Sequence, residues 1–117
     1  MNSLAEINLF SCRLTSLTES IGNLLQLTEL TVNYNNLTKL PDSIGNLIQL
    51  TLLDASHNKL TTLRESIGNL STPRSLRLTQ NNLTKLPLSI LNLSSWTHLD
   101  LTAIQLLHHF GAWARWQ

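Results

Sequence analysis

The stretch Leu27 to Gln49, LTELTVNYNNLTKLPDSIGNLIQ, returns with the same spacing in residues 50–72 and again in 73–95. This fixed period of 23 residues constrains the chain more than any single side chain does. Tandem units of about 20–50 residues form stacked arrays, because one unit cannot bury its own apolar side chains and needs a neighbour on each side.

Counting Leu27 as column one, the apolar columns repeat almost unchanged. Column four holds Ile7, Leu30, Leu53, Leu76 and Leu99, and column six holds Leu9, Val32, Ala55, Leu78 and Leu101. Leu14, Leu37, Leu60, Leu83 and Leu106 fill column eleven. Each unit then adds a leucine (Leu17, Leu40, Leu63, Leu86), an isoleucine (Ile21, Ile44, Ile67, Ile90) and a second leucine (Leu24, Leu47, Leu70, Leu93). Columns four and six alternate with polar residues, as a strand with one buried face requires.

These residues resemble the leucine-rich repeat family, whose signature L-x-x-L-x-L-x-x-N/C-x-L is met by Leu27, Leu30, Val32, Asn35 and Leu37. The I-G-N-L continuation is similar to the intracellular type of repeat found in bacterial and plant members. The resemblance implies an α/β fold, a right-handed solenoid shaped as a short curved horseshoe, with parallel β-strands on its concave face and short helical or irregular convex turns. The array is expected over residues 1–102, with repeats near 4–26, 27–49, 50–72 and 73–95 and the start of a fifth at 96.

Column nine should let the chain leave each strand. Asn35, Asn58 and Asn81 each carry an amide that donates and accepts. Stacked in a column, such amides can satisfy the backbone groups that the bend strands inside the protein, where an unpaired group costs about 1–3 kcal/mol. Cys12 occupies that column in the first repeat and is expected to be a buried member of the same ladder.

Pro41 and Pro87 should fix φ at the entry to the outer turn, with Thr18 and Arg64 in their place elsewhere loosening it. Gly22, Gly45 and Gly68 recur at one column, where a preference for positive φ is expected. Pro73 opens the fourth repeat and Trp96 the fifth, both just before a strand, where proline is tolerated. After Thr102 the register fails. Ala103, Leu106, Leu107, Phe110, Trp113 and Ala114 recur at helical spacing, so residues 103–117 are expected to form a degenerate segment with a capping helix, despite Gly111.

The formal charge of +1 arises from eight basic and seven acidic residues scattered along the chain, which gives no basic stripe for nucleic acid or an anionic membrane. The N-terminal residues lack the cationic and apolar runs of a secretory leader, no stretch approaches a membrane span, and the single cysteine suits a reducing compartment. A cytoplasmic location is therefore expected, and the N-x-S/T sequons at Asn36, Asn69, Asn82 and Asn92 are by-products of the repeat. The first repeat begins almost at column one, so an open end could support weak end-to-end association of an otherwise monomeric protein. Whether the chain is a complete small protein or part of a longer repeat protein stays open.

Catalysis finds little support. Cys12 lacks the basic setting that activates a thiol, His108 and His109 are adjacent and point about 100° apart on a helix, and His98 completes no zinc set. No phosphate loop or nucleophile elbow occurs. No catalytic residue, metal site or cofactor is expected. The columns that face away from the core do vary: Glu6, Asn8, Phe10 and Ser11, then Glu29, Thr31, Asn33 and Tyr34, then Leu52, Asp54, Ser56 and His57, then Ser75, Arg77, Thr79 and Gln80, the last twelve being the expected partner-binding set. Neighbouring Tyr34 and His57, with Asp54 beside Arg77, have the composition of an interface. The expected function is a non-catalytic interaction module or scaffold that binds a protein or peptide lying across the concave strands. The alternative is a substrate-recognition part of a larger signalling or ubiquitin-ligase-type enzyme.

Overall fold

The computed structural model describes residues 5–70, 75–84, 86–92 and 98–100. Five three-residue strands follow one another at the repeat period: β1 (Glu6–Asn8), β2 (Glu29–Thr31), β3 (Leu52–Asp54), β4 (Ser75–Arg77) and β5 (His98–Asp100). They form one parallel sheet in the order β1-β2-β3-β4-β5. Ile7 pairs with Leu30, Leu30 with Leu53, Leu53 with Leu76 and Leu76 with Leu99, so column four is a continuous line through the sheet. The sequence period is thus also the strand register, and no slip is possible without turning a buried leucine to solvent.

Opposite the sheet, each unit folds into a five-residue 3-10 turn: Glu19–Asn23, Asp42–Asn46, Glu65–Asn69 and Leu88–Asn92. The helical part of the fold is therefore 3-10 among the described residues, consistent with a unit too short to accommodate an α-helix of several turns. Thr18 caps the first turn by accepting from the Ser20 N–H at 3.3 Å. Pro41, with φ −68° and ψ 150°, and Arg64, with φ −82° and ψ 159°, enter their turns in nearly the same extended conformation. Arginine thus reaches the geometry that proline imposes, and its side chain meets Asp42, Nε to Oδ1 3.3 Å.

Between sheet and outer turns runs one leucine core. Leu27, Leu30, Leu37, Leu47, Leu50, Leu53, Leu60 and Leu76 are wholly buried, each worth about 1.5–3 kcal/mol relative to exposure. Ile7, Leu9, Leu14 and Leu17 of the first turn are only partly buried against this core. Threonine adds a second line of bonds at the strand entrance: Thr28 Oγ1 donates to the Ala5 carbonyl and Thr51 Oγ1 to the Thr28 carbonyl, both at 3.1 Å.

The glycine column corrects an expectation, since no glycine among the described residues has positive φ. Its requirement is steric. A Cβ on Gly45 would stand 2.5 Å from the Ser66 carbonyl oxygen, and one on Gly68 would meet Ser89 as closely. The expected capping helix of 103–117, with His108 and His109, lies outside the described residues, as do Pro73 and Trp96.

Candidate functional site

Parallel pairing does not stop where the strands end. Val32 N–H donates to the Asp54 carbonyl and Tyr34 N–H to the Ser56 carbonyl; Ala55 and His57 do the same to Arg77 and Thr79. These bonds carry the spacing of the sheet out to column eight. There the chain bends through the left-handed region, with φ 55° at Ser11, 59° at Tyr34, 54° at His57 and 55° at Gln80. The strands cover columns three to five, and column eight, expected to face away from the core, is a bend. Such a φ is uncommon for a bulky side chain, and it persists because the surrounding bonds over-determine it.

The bend sets the rings in a row. Tyr34 and His57 are stacked with centroids 4.1 Å apart and planes 9° from parallel, and Phe10 meets Tyr34 edge-on at 5.5 Å and 72°. The edge-on contact falls within the preferred geometry of aromatic pairs, and the stacked one is closer than most. Phe10 and Tyr34 remain about half exposed, at 53% and 49%. The three rings thus form a rigid apolar strip at the rim of the concave face. Phe10, expected to face away from the core but not among the expected partner contacts, joins it from column seven, one column short of Tyr34 in the repeat alignment.

Next to the strip, Asp54 is almost buried and accepts from Ser56 twice, N–H at 3.1 Å and Oγ at 2.7 Å. Asn8 makes the equivalent backbone bond, Oδ1 accepting from the Phe10 N–H at 3.0 Å. The second Asp54 oxygen faces Arg77 Nη1 at 3.8 Å, so a fixed carboxylate orients a half-exposed guanidinium.

Of the other expected contact residues, Gln80 is exposed and Glu29, Thr31, Asn33, Leu52, His57 and Ser75 are intermediate. Asp54, Ser56 and Thr79 are buried, which corrects their reading as contact surface. On a concave surface short side chains are shaded by longer neighbours, and two of these are already bonded to each other.

The asparagine ladder is present with its partners in place. Asn35 Oδ1 accepts from Cys12 and Leu14 N–H, while its Nδ2 donates to the Leu9, Val32 and Asn33 carbonyls. Asn58 and Asn81 repeat the pattern one and two turns on. Cys12 does not behave as expected, for it is exposed rather than buried. Its Sγ reaches the Phe10 carbonyl at 3.6 Å, which imitates only the bond that Asn35 makes within its own turn. Column nine is enclosed by the turn before it, as Asn35 is by the first turn, and among the described residues no turn lies before that of Cys12.

Among the described residues no three His, Cys, Asp or Glu side chains are grouped to hold a metal ion. Nor is any helix among them long and apolar enough to cross a membrane.

Stacked turns with an open parallel face define a solenoid, and comparison with known proteins agrees. The Leucine Rich Repeat family model matches residues 26–47 and 49–70. A leucine-rich repeat protein of Leptospira interrogans superposes with a TM-score of 0.72 and 39% identity, over 79% of this chain and 24% of that one. The ectodomain of a plant membrane receptor kinase from Arabidopsis thaliana, in complex with Casparian strip integrity factor 2, gives 0.69 and 36%, over 74% of this chain and 11% of that one. The plant peptide hormone receptor RGFR1 in complex with RGF2 gives 0.69 and 36%, over 80% and 15%. No curated protein sequence matches. The chain belongs to the leucine-rich repeat family, and it spans a quarter or less of the length of these three solved relatives.

Proposed function

We propose that the chain is a non-catalytic protein-interaction module whose concave face, centred on Tyr34 and Arg77, binds a protein or peptide. The observation that carries this reading is the preorganised strip of Phe10, Tyr34 and His57 beside the Asp54 to Arg77 pair. Exposed rings held by the backbone lose little conformational freedom on binding, and Tyr and Arg are the side chains enriched among interface hot spots. Two of the similar structures are complexes, one with a peptide hormone receptor, which supports peptide recognition as the kind of task.

The test compares capture of lysate proteins from the source organism by the chain and its variants. Tyr34→Ala or Arg77→Ala should reduce capture of a recurrent partner by at least about tenfold while a cooperative melting curve shows that the variant is still folded. Lys39→Ala, at an exposed position away from the strands, should leave capture unchanged. Loss on the Lys39 change with retention on the Tyr34 change would move the working surface off the concave face.

A further inference from the structure

The near-neutral total charge conceals a segregation. In the described part of the concave columns stand Glu6, Glu29 and Asp54 against one cation, Arg77, whereas Arg13, Lys39, Lys59 and Arg64 lie outside those columns. Asp54 is nearly buried and already faces Arg77. Glu6 and Glu29 are different. They sit directly opposite each other in the register of β1 and β2, Glu6 exposed and Glu29 half-buried, and neither carboxylate makes a hydrogen bond or ion pair among the described residues. Like charges placed opposite across a strand pair repel, so the fold gains nothing from this arrangement, and a cation arriving from outside would relieve it.

Column three and column seven lie on the same side of the strand, four residues and so about 13 Å apart. Phe10 in column seven therefore shares the face of the two glutamates, and Tyr34, one column on, is set against it by the bend, at a separation that about four to five residues of an extended peptide also span. Asn33 stands in column seven with Phe10, and its Oδ1 is buried with no donor. A turn of this half-exposed amide would let it accept from a peptide N–H.

Resting on the concave-face reading above, we infer that the partner is a basic peptide segment. It sets a Lys or Arg side chain between Glu6 and Glu29 and, about four residues away, an aromatic or large apolar side chain against Phe10 and Tyr34. The carboxylate pair steers and orients the segment, and the rings supply its apolar anchor. An acidic segment meets two unneutralised carboxylates at the same place and is rejected.

A library of random short peptides displayed on phage and panned against the full chain tests this. Selected peptides should be enriched in Lys or Arg at that spacing from an aromatic residue. Synthetic copies should bind the E6Q/E29Q variant at least about tenfold more weakly and lose affinity as salt is raised. Glutamine keeps the shape of glutamate, and an unchanged melting curve establishes that the variant is folded. If the selected peptides lack basic residues, or bind E6Q/E29Q as well as the parent, yet lose binding to Tyr34→Ala, the inference is overturned and the concave-face reading stands. If no peptide is enriched, or binding is indifferent to Tyr34→Ala as well, both fail.

Discussion

Gly45 lies under the backbone of Ser66 so closely that a methyl group in place of its hydrogen would stand 2.5 Å from the Ser66 carbonyl oxygen. Adjacent outer turns approach there backbone to backbone, and the obstacle is main chain, which cannot rotate away. Gly45→Ala should destabilise the array by about 1–3 kcal/mol through overpacking. Equilibrium denaturation measures it. A neutral result would mean that the turns are spaced more widely than described, because left-handed backbone is not at issue at this glycine.

Ser43 and Ser66 hold equivalent positions with different bonding. Ser43 Oγ donates to the Glu19 carbonyl at 2.6 Å and its N–H to Glu19 Oε1 at 3.2 Å, a pattern repeated by Ser89 and Glu65. Ser66 Oγ is buried without a partner, opposite the shorter Asp42, whose carboxylate turns to Arg64. Ser43→Ala should therefore cost about 0.5–1.5 kcal/mol, whereas Ser66→Ala, which removes an unsatisfied hydroxyl, should be neutral or stabilising. Thermal melts of the two variants give the comparison, and equal losses would contradict it.

Asn58 supplies one acceptor and three donor contacts, to Leu37, Val32, Ala55 and Ser56. Asn58→Leu leaves several of those groups buried and unpaired and should cost about 3 kcal/mol or more. Cys12→Ser at the exposed end of the column should stay within about 0.5 kcal/mol of the parent. Chemical denaturation ranks them; equal small effects would remove the amide column from the account of stability.

Gln80 tests the bend. It is exposed, has φ 55°, and its side chain makes no hydrogen bond or ion pair that glycine would lose. Left-handed backbone costs an ordinary L-residue about 1–2 kcal/mol, partly offset in glycine by its larger unfolded-state entropy. Gln80→Gly should accordingly raise the melting temperature. Tyr34→Gly relieves the same strain but forfeits two ring contacts and should not.

The period alone located all five strands, their register, the leucine core and the asparagine amides, because each depends on which side chains must be inside. Expectations failed where the controlling quantity is not a side-chain preference. Nothing in Tyr34 or His57 announces left-handed backbone, which glycine or asparagine would have signalled. The burial of Asp54, Ser56 and Thr79 depends on curvature, a property of the whole stack rather than of any repeat. The glycine column was legible as a column but not in its cause, since a steric limit and a conformational one leave the same letter. Of the candidate site, the Tyr34 to His57 and Asp54 to Arg77 adjacencies and the outward placing of Glu6 and Phe10 were legible from alignment, and the edge-on contact of Phe10 with Tyr34 emerged only with the geometry.

The amides of the ladder all reach in one direction. Asn35 bonds back to Leu9 and Cys12, Asn58 back to Val32 and Leu37, and Asn81 back to Ala55 and Leu60. Each turn is thus completed by its successor and owes no amide to its predecessor. During synthesis, which delivers the N-terminal turns first, a turn leaves the ribosome with polar groups still waiting for about one more repeat to emerge. Peeling has the same polarity: releasing a turn strands the one before it and spares the amide of the one after it, so the array should come apart as a zip does, from one side.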